Sequence, residues 1–292
     1  MSLRGPVLNG SGTFDALAAR RSFGDELLAR FPFDAFVSKT ITLAPRDGNP
    51  PPRLWESPAG LVNSIGLPNK GLDRFIDDDL PRLAELPVPL VVSVMGFTRD
   101  ELALLAARVG ERDEVALVEL NISCPNVETG LVMGADPVEA ARAVERVRAA
   151  CAKPLIVKLT PNASDPAAVA VAAERAGADA LALVNTLRGA AIEPSGSGEA
   201  WLGGGSGGLS GSAVRAVALA QVQAVAAAVS LPVVGMGGIS EPAHALDFLA
   251  AGALCVAIGT ESFRDPAAGA RIAEGLARAR QRHERTAGAA AR

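Results

Sequence analysis

Residues 119–126 read Glu-Leu-Asn-Ile-Ser-Cys-Pro-Asn. Asn121 and Asn126 bring two side-chain amides, each with paired donors and an acceptor, as a flat amide-like ligand requires, and the Cys124 thiol lies between them. A thiol is ordinarily an inert, small hydrophobe. Cys124 instead follows an apolar run from Ala116 to Ile122 and precedes Pro125, a residue that stops a strand. That placement is the one expected of a catalytic thiol. Cys151, near a helix end, and Cys255, inside an apolar strand, read as structural.

Two lysines join this set. The chain has only Lys39, Lys70, Lys153 and Lys158 against 24 arginines, and Lys39 and Lys158 each end an apolar strand. Lysine is rarely buried without a partner. A fixed positive charge at a strand end would face a ligand that carries or gains negative charge. A flavin accepting a hydride is such a ligand. Asn63, within Asn63-Ser64-Ile65-Gly66-Leu67, and Asn185 add two more amides, and the four asparagines together suit a small ring with imide edges. Gly237-Gly238 and Gly259-Thr260 follow the last two apolar runs, with the Gly207–Gly211 run beside them. Backbone amides in such glycine turns bind phosphate.

These residues need a frame that brings strand ends together. Short β-rich runs occur at Pro6–Asn9, Ala35–Thr42, Leu90–Met95, Ala116–Ile122, Leu155–Leu159, Ala180–Asn185, Val233–Met236 and Cys255–Ile258. Helical stretches alternate with them, at about 15–30, 99–110, 136–151, 165–176, 213–229, 241–251 and 266–282. Asp136-Pro137, Asp165-Pro166 and Asp265-Pro266 are helix-start signals. Apolar runs without alternation indicate a parallel sheet covered on both faces. Eight such units predict a closed (β/α)8 TIM barrel with its active site at the C-terminal rim. Residues 43–70 and 188–212 are expected as long loops at that rim.

At 292 residues the chain is read as a single barrel domain over 1–285, with a frayed tail at 286–292. A net charge of −4 argues against nucleic acid as a partner. No apolar run reaches the roughly 18 residues of a membrane span, and the first strand begins too early for a leader. Three scattered cysteines are not a disulfide framework and suit a reducing cytoplasm.

The motifs Ser38-Lys39-Thr40, Arg46–Arg53 (Arg-Asp-Gly-Asn-Pro-Pro-Pro-Arg), Asn63–Leu67, Asn121–Asn126, Lys158-Leu159-Thr160-Pro161-Asn162, Asn185-Thr186-Leu187 and Gly235–Ile239 resemble the dihydroorotate dehydrogenase family, class 1B in particular. The resemblance runs from Ser11 to Thr260. It implies an FMN enzyme of pyrimidine biosynthesis that oxidises (S)-dihydroorotate to orotate. Cys124 would take the C5 proton while the C6 hydride goes to the flavin. Lys39, Asn63, Ser64, Ile65, Gly66, Leu67, Asn121, Asn126, Asn185 and Thr186 match substrate positions. Ser11, Lys39, Thr40, Asn121, Lys158, Val184, Gly211, Gly237, Gly238, Gly259 and Thr260 match flavin positions.

Class 2 members carry Ser where this chain has Cys124, and add an N-terminal amphipathic extension. Class 1B members pair with a subunit carrying FAD and [2Fe–2S] that passes electrons to NAD+, which implies a homodimer within a heterotetramer. Three separated cysteines could not hold such a cluster here. The family's usual β-hairpin before Pro6 is missing, so either the chain is trimmed or another element covers the barrel floor. A dihydropyrimidine dehydrogenase-like reductase also carries a Ser-Cys-Pro turn, but Asn63–Leu67 and Asn126 favour dihydroorotate. A dihydrouridine synthase would need a basic face. A non-catalytic flavin scaffold would not need Cys124 with both lysines.

Overall fold

The computed structural model describes residues 3–123 and 133–290. Among the described residues twelve strands are formed: β1 (Val7–Asn9), β2 (Phe36–Val37), β3 (Leu54–Ser57), β4 (Gly60–Asn63), β5 (Leu90–Val94), β6 (Val115–Asn121), β7 (Leu155–Lys158), β8 (Ala180–Leu183), β9 (Leu187–Gly189), β10 (Gly207–Ser210), β11 (Val233–Met236) and β12 (Cys255–Ile258). Eight of them make one parallel sheet in the order β1-β12-β11-β8-β7-β6-β5-β2. Helices cover its outer face, and the eight predicted β/α units are all present in a (β/α)8 TIM barrel.

The seam between β1 and β2 closes by unusual means. The two backbones meet in a parallel bridge from Leu8 to Ala35 and a 2.7 Å hydrogen bond from the Asp34 amide to the Val7 carbonyl. The side chain of Asn9, fully buried, completes the ladder: its Oδ1 accepts from the Val37 amide and its Nδ2 donates to the Val37 carbonyl, both at 2.8 Å. Asp34 does the same lower down, accepting from the Val7 amide at 3.0 Å. Side-chain amides and carboxylates thus replace main-chain partners where the strands are too short to pair.

Strand alternation separates two cores. Val118 and Leu120 of β6 point outward into the shell between barrel and helices, whereas Leu117 packs into the barrel interior. That interior is floored by Leu8, Ala35, Val37, Val91, Ile156, Ala182, Met236, Cys255 and Ala257, with Leu3 packed against it. Above this apolar layer the inward positions turn polar: Ser93, Glu119, Asn121 and Lys158 are all buried.

Three expectations need correction. Residues 43–70 and 188–212 are not simply loops. They contribute β3, β4, β9 and β10 to a four-stranded antiparallel sheet, order β3-β4-β10-β9. Pairing Gly60–Asn63 with Gly207–Ser210 is a contact across nearly half the chain, invisible to local propensity, and Gly-rich β10 has little propensity of its own. The helix expected over 15–30 is broken at Gly24, whose left-handed φ of 61° and amide bond to the Arg20 carbonyl end Ala16–Phe23 before Glu26–Ala29 begins. The strand expected over 35–42 pairs regularly only at Phe36–Val37. Beyond that, the Ser38 amide bonds to Val91 and the Ile41 amide to Ser93, three residues of one strand against two of the other. This extra residue is a bulge, and it leaves Lys39 exposed while Thr40 turns inward and is buried.

The expected capping acids do cap. Asp136 accepts from the Val138 and Glu139 amides, Asp165 from Ala168, and Asp265 from Ala267. Helix Arg99–Gly110 has the predicted bounds, and the last helix runs Ala268–Ala290. Among the described residues no helix is long and apolar enough to cross a membrane.

Candidate active site

A hydrogen-bonded layer of hydroxyls and amides spans the barrel mouth. Ser11 Oγ donates to the Ser38 carbonyl at 2.8 Å and lies 3.0 Å from Thr40 Oγ1, which in turn lies 2.9 Å from Ser93 Oγ. Asn121 Nδ2 donates to Thr40 Oγ1 at 3.0 Å. Ser123 Oγ donates to Asn121 Oδ1 at 3.2 Å, and Asn185 Nδ2 donates to Ser123 Oγ at 2.9 Å. Asn185 Oδ1 accepts from the Thr186 amide, and Asn162 Nδ2 donates to the Thr186 carbonyl. Strand ends β1, β2, β5, β6 and β8 are tied together by these bonds.

These polar side chains stand at the mouth of an apolar barrel. Most of them satisfy each other, as buried polar groups must. Lys158 is different. Its residue is 5% exposed, yet among the described residues its Nζ makes no hydrogen bond, and its closest carboxylate oxygen, Glu119 Oε1, is 3.9 Å away. Three N–H donors therefore stand ready beside Asn121, with which Lys158 is in register across β6 and β7.

Lys39 supplies a second charge of another kind. Its side chain is exposed to solvent, but the surrounding rim still lowers its pKa below the ordinary lysine range; desolvation leads, Arg53 assists and Asp15 opposes. Lys39 carries less of its charge at alkaline pH than a surface lysine would.

The rim sheet delivers the Asn63–Leu67 segment. Asn63 Nδ2 donates to the Gly208 carbonyl at 3.1 Å. Gly208 must be glycine, since a Cβ there would strike the Thr186 side chain. Asn63, Thr186 and Asn185 are thereby placed side by side. Ser64 is fully buried, and its Oγ accepts from Asn49 Nδ2 at 3.0 Å, so its hydroxyl braces the loop. Ile65 holds the Asn49 amide through its carbonyl. Gly66 and Leu67 both take left-handed backbone, φ 73° and 57°.

On the opposite side the mouth is backbone. A cavity of about 110 Å³ lies between Gly60, Gly211, Gly238, Gly259, Thr260 and Arg264. Gly237 has φ 130°, Gly238 73° and Gly211 87°. A Cβ on Gly238 would lie 2.7 Å from the Gly211 carbonyl oxygen, so no other residue fits. The amides of Gly238, Gly259 and Thr260 donate to no group among the described residues. Thr260 Oγ1 donates to Ser210 Oγ at 2.8 Å, fastening the rim sheet to this wall. Val184, 5% exposed, follows a cis Leu183–Val184 peptide and donates its amide to Met236. Cys124 and Asn126 lie outside the described residues.

The family model for dihydroorotate dehydrogenase matches residues 1–279. The chain belongs to the dihydroorotate dehydrogenase family. It is similar to the protein named dihydroorotate dehydrogenase B (NAD(+)), catalytic subunit, of Trichlorobacter lovleyi, at 46% identity over 280 residues, 94% of this chain and 90% of that one. The Pelobacter propionicus protein of the same name is 45% identical over 284 residues, 97% and 92% of the two chains. The Desulforudis audaxviator protein, likewise named, is 45% identical over 280 residues.

Glu119 and Ser93 were not among the residues the sequence put forward for this family's site. Ser93 Oγ donates to Glu119 Oε1 at 2.8 Å, and Glu119 is 2% exposed. The period-two pattern Leu117, Glu119, Asn121 carried the signal: a carboxylate two residues before an inward amide must also point inward. Among the described residues no cluster of His, Cys, Asp and Glu is arranged to hold a metal ion.

Proposed function

We propose that this chain oxidises (S)-dihydroorotate to orotate, using FMN held at the barrel mouth. The observation that carries the reading is Lys158: a buried ammonium beside Asn121 that makes no hydrogen bond among the described residues, in a family of dihydroorotate dehydrogenases. When bound, FMN supplies the two-electron acceptor for the hydride leaving C6 of the substrate. The glycine-walled cavity, with amides that donate to no described residue and with Arg264 at its edge, fits the phosphate of that cofactor. Gly211, Gly237, Gly238, Gly259 and Thr260 would hold it there, while Ser11, Thr40, Val184, Asn121, Lys39 and Lys158 would hold the ring end.

Substrate orientation falls to Asn63, Asn121, Asn126, Asn185 and Thr186, with Lys39 meeting its carboxylate and the Ser64–Leu67 segment closing over it. The paired donors and acceptors of the amides suit the imide edge of a dihydropyrimidine. Cys124 accepts the C5 proton as general base. Ser123, which precedes it in the sequence, is bonded to both Asn121 and Asn185.

The relatives' names include a catalytic subunit and NAD+, which supports a partner subunit here; that the partner is an electron-transfer subunit carrying FAD and [2Fe–2S], on a homodimer in the cytoplasm, is what the class 1B resemblance adds to the proposal. A single barrel domain over 1–285 suffices for the catalytic part. The purified chain should be yellow and should bleach anaerobically with dihydroorotate but not with dihydrouracil. A colourless protein that takes up no added FMN, or bleaching by dihydrouracil alone, would refute this assignment.

A further inference from the structure

Glu119 is a carboxylate buried in the middle of a parallel barrel, 2% exposed, and the proposed chemistry gives it nothing to do. It points inward from β6, two residues before Asn121, into the layer between the apolar floor and the mouth. A buried carboxylate is costly unless charge and hydrogen bonds compensate it. Two groups do so. Ser93 Oγ donates to Oε1 at 2.8 Å, and the same oxygen lies 3.9 Å from Lys158 Nζ. Ser93 is itself 2.9 Å from Thr40 Oγ1, which receives Asn121 Nδ2. Glu119 thus touches, directly or through one hydroxyl, the lysine and the polar layer at the centre of the mouth.

The separation of 3.9 Å is informative. A direct hydrogen bond would spend one ammonium proton and draw the nitrogen down toward the floor. At 3.9 Å the carboxylate offsets the lysine's charge and leaves its three donors free for what lies above. Removing one partner of a buried ion pair leaves the other uncompensated, so neither charge is incidental to the fold.

We propose that Glu119 is a positioning residue that tempers Lys158: it holds the ammonium under the mouth and sets how much positive charge a bound redox ring sees. This rests on the FMN reading above. Two-electron reduction places negative charge on the ring, which Lys158 favours and Glu119 opposes. The pair would therefore set the cofactor's potential from below, through a residue that touches neither substrate nor cofactor.

The test is the midpoint potential of the FMN-loaded protein, measured by anaerobic dye-coupled titration, with sulfite affinity of the oxidised form as a second readout. Glu119→Gln keeps the shape and an acceptor for Ser93 while removing the charge. It should favour reduced over oxidised FMN by on the order of tenfold, which for a two-electron couple is about 30 mV upward. Sulfite, an anion that adds to the flavin, should bind more tightly by a similar factor. Lys158→Met should move both readouts the opposite way, a sign reversal that a merely structural role would not produce.

An unchanged or lowered potential in Glu119→Gln would overturn the proposal, as would shifts of the same sign in both variants. Should Glu119→Gln fail to fold, Glu119→Asp, which withdraws the charge by one methylene, should give a smaller upward shift, and no shift there would be equally fatal. A wild-type protein that binds no FMN defeats the flavin reading itself, a result visible before any variant is made.

Discussion

The two halves of the barrel mouth are built on opposite principles. Along β5, β6, β7 and β8 the site is made of side chains: Ser93, Glu119, Asn121, Lys158 and Asn185, joined by hydrogen bonds and one buried ion pair. Along β11 and β12 it is made of backbone, where Gly237, Gly238 and Gly259 offer amides and the absence of side chains is the working feature. The first half can alter charge and proton affinity with little change of shape. The second, on the proposed reading, holds the cofactor's phosphate but has little with which to tune it. Chemistry and anchoring are therefore separable, and mutations should fall cleanly into one class or the other.

The largest effect is expected on the side-chain half. Cys124→Ala should slow flavin reduction by dihydroorotate about 10²–10⁴-fold, the usual worth of a general base, while FMN stays bound. Stopped-flow bleaching under anaerobic conditions measures it, with the flavin-to-protein ratio as control. Ordinary rates in that variant would remove Cys124 from the chemistry; loss of FMN with the rate would break the separation between the halves.

Gly238→Ala probes the other half. Its φ of 73° disfavours any side chain, and the added Cβ would sit 2.7 Å from the Gly211 carbonyl oxygen and 2.8 Å from Arg215 Cβ. Strain of this kind costs about 1–3 kcal/mol, enough to weaken FMN binding roughly tenfold to a hundredfold. The protein should purify largely colourless yet reach near-normal rates when FMN is supplied in excess. Full retention of FMN would show that the glycine wall is not the anchor.

These halves were unequally legible in the sequence. Strands β11 and β12 have the bounds their apolar runs predicted, and the glycines after them announced themselves by type. Lys158 and Asn121 were equally readable, because a polar residue ending an apolar run has few structural reasons to be there. Glu119 escaped because it was taken as the edge of a motif, when alternation from Leu117 already placed it inside. The rim sheet escaped for a different reason: β10 is Gly-Gly-Leu-Ser, and its partner β4 is remote in the chain. The lysine bulge depends on which Ser38–Ile41 amides reach β5, a register no single strand encodes.

The smallest expected effect tests the foundation of the backbone half. Cys255 begins β12 and is 8% exposed within the interior floor, where burial, with Asp34 second, raises its thiol pKa from 9.0 to about 11. The folded state therefore keeps this proton over a range in which the unfolded chain has released it. Stability from Cys255 is complete below about pH 9 and is lost as pH climbs through about 11. The total is roughly 2–3 kcal/mol, a loss of several degrees in Tm. The chain has no tyrosine, so no phenol titration obscures that window. Cys255→Ala should begin slightly less stable near pH 8, through lost packing, and then fall less steeply than wild type toward about pH 10.5. Parallel melting curves in the two proteins would mean that the floor beneath the glycine wall tolerates the thiolate, and that the backbone half is less tightly packed than its geometry implies.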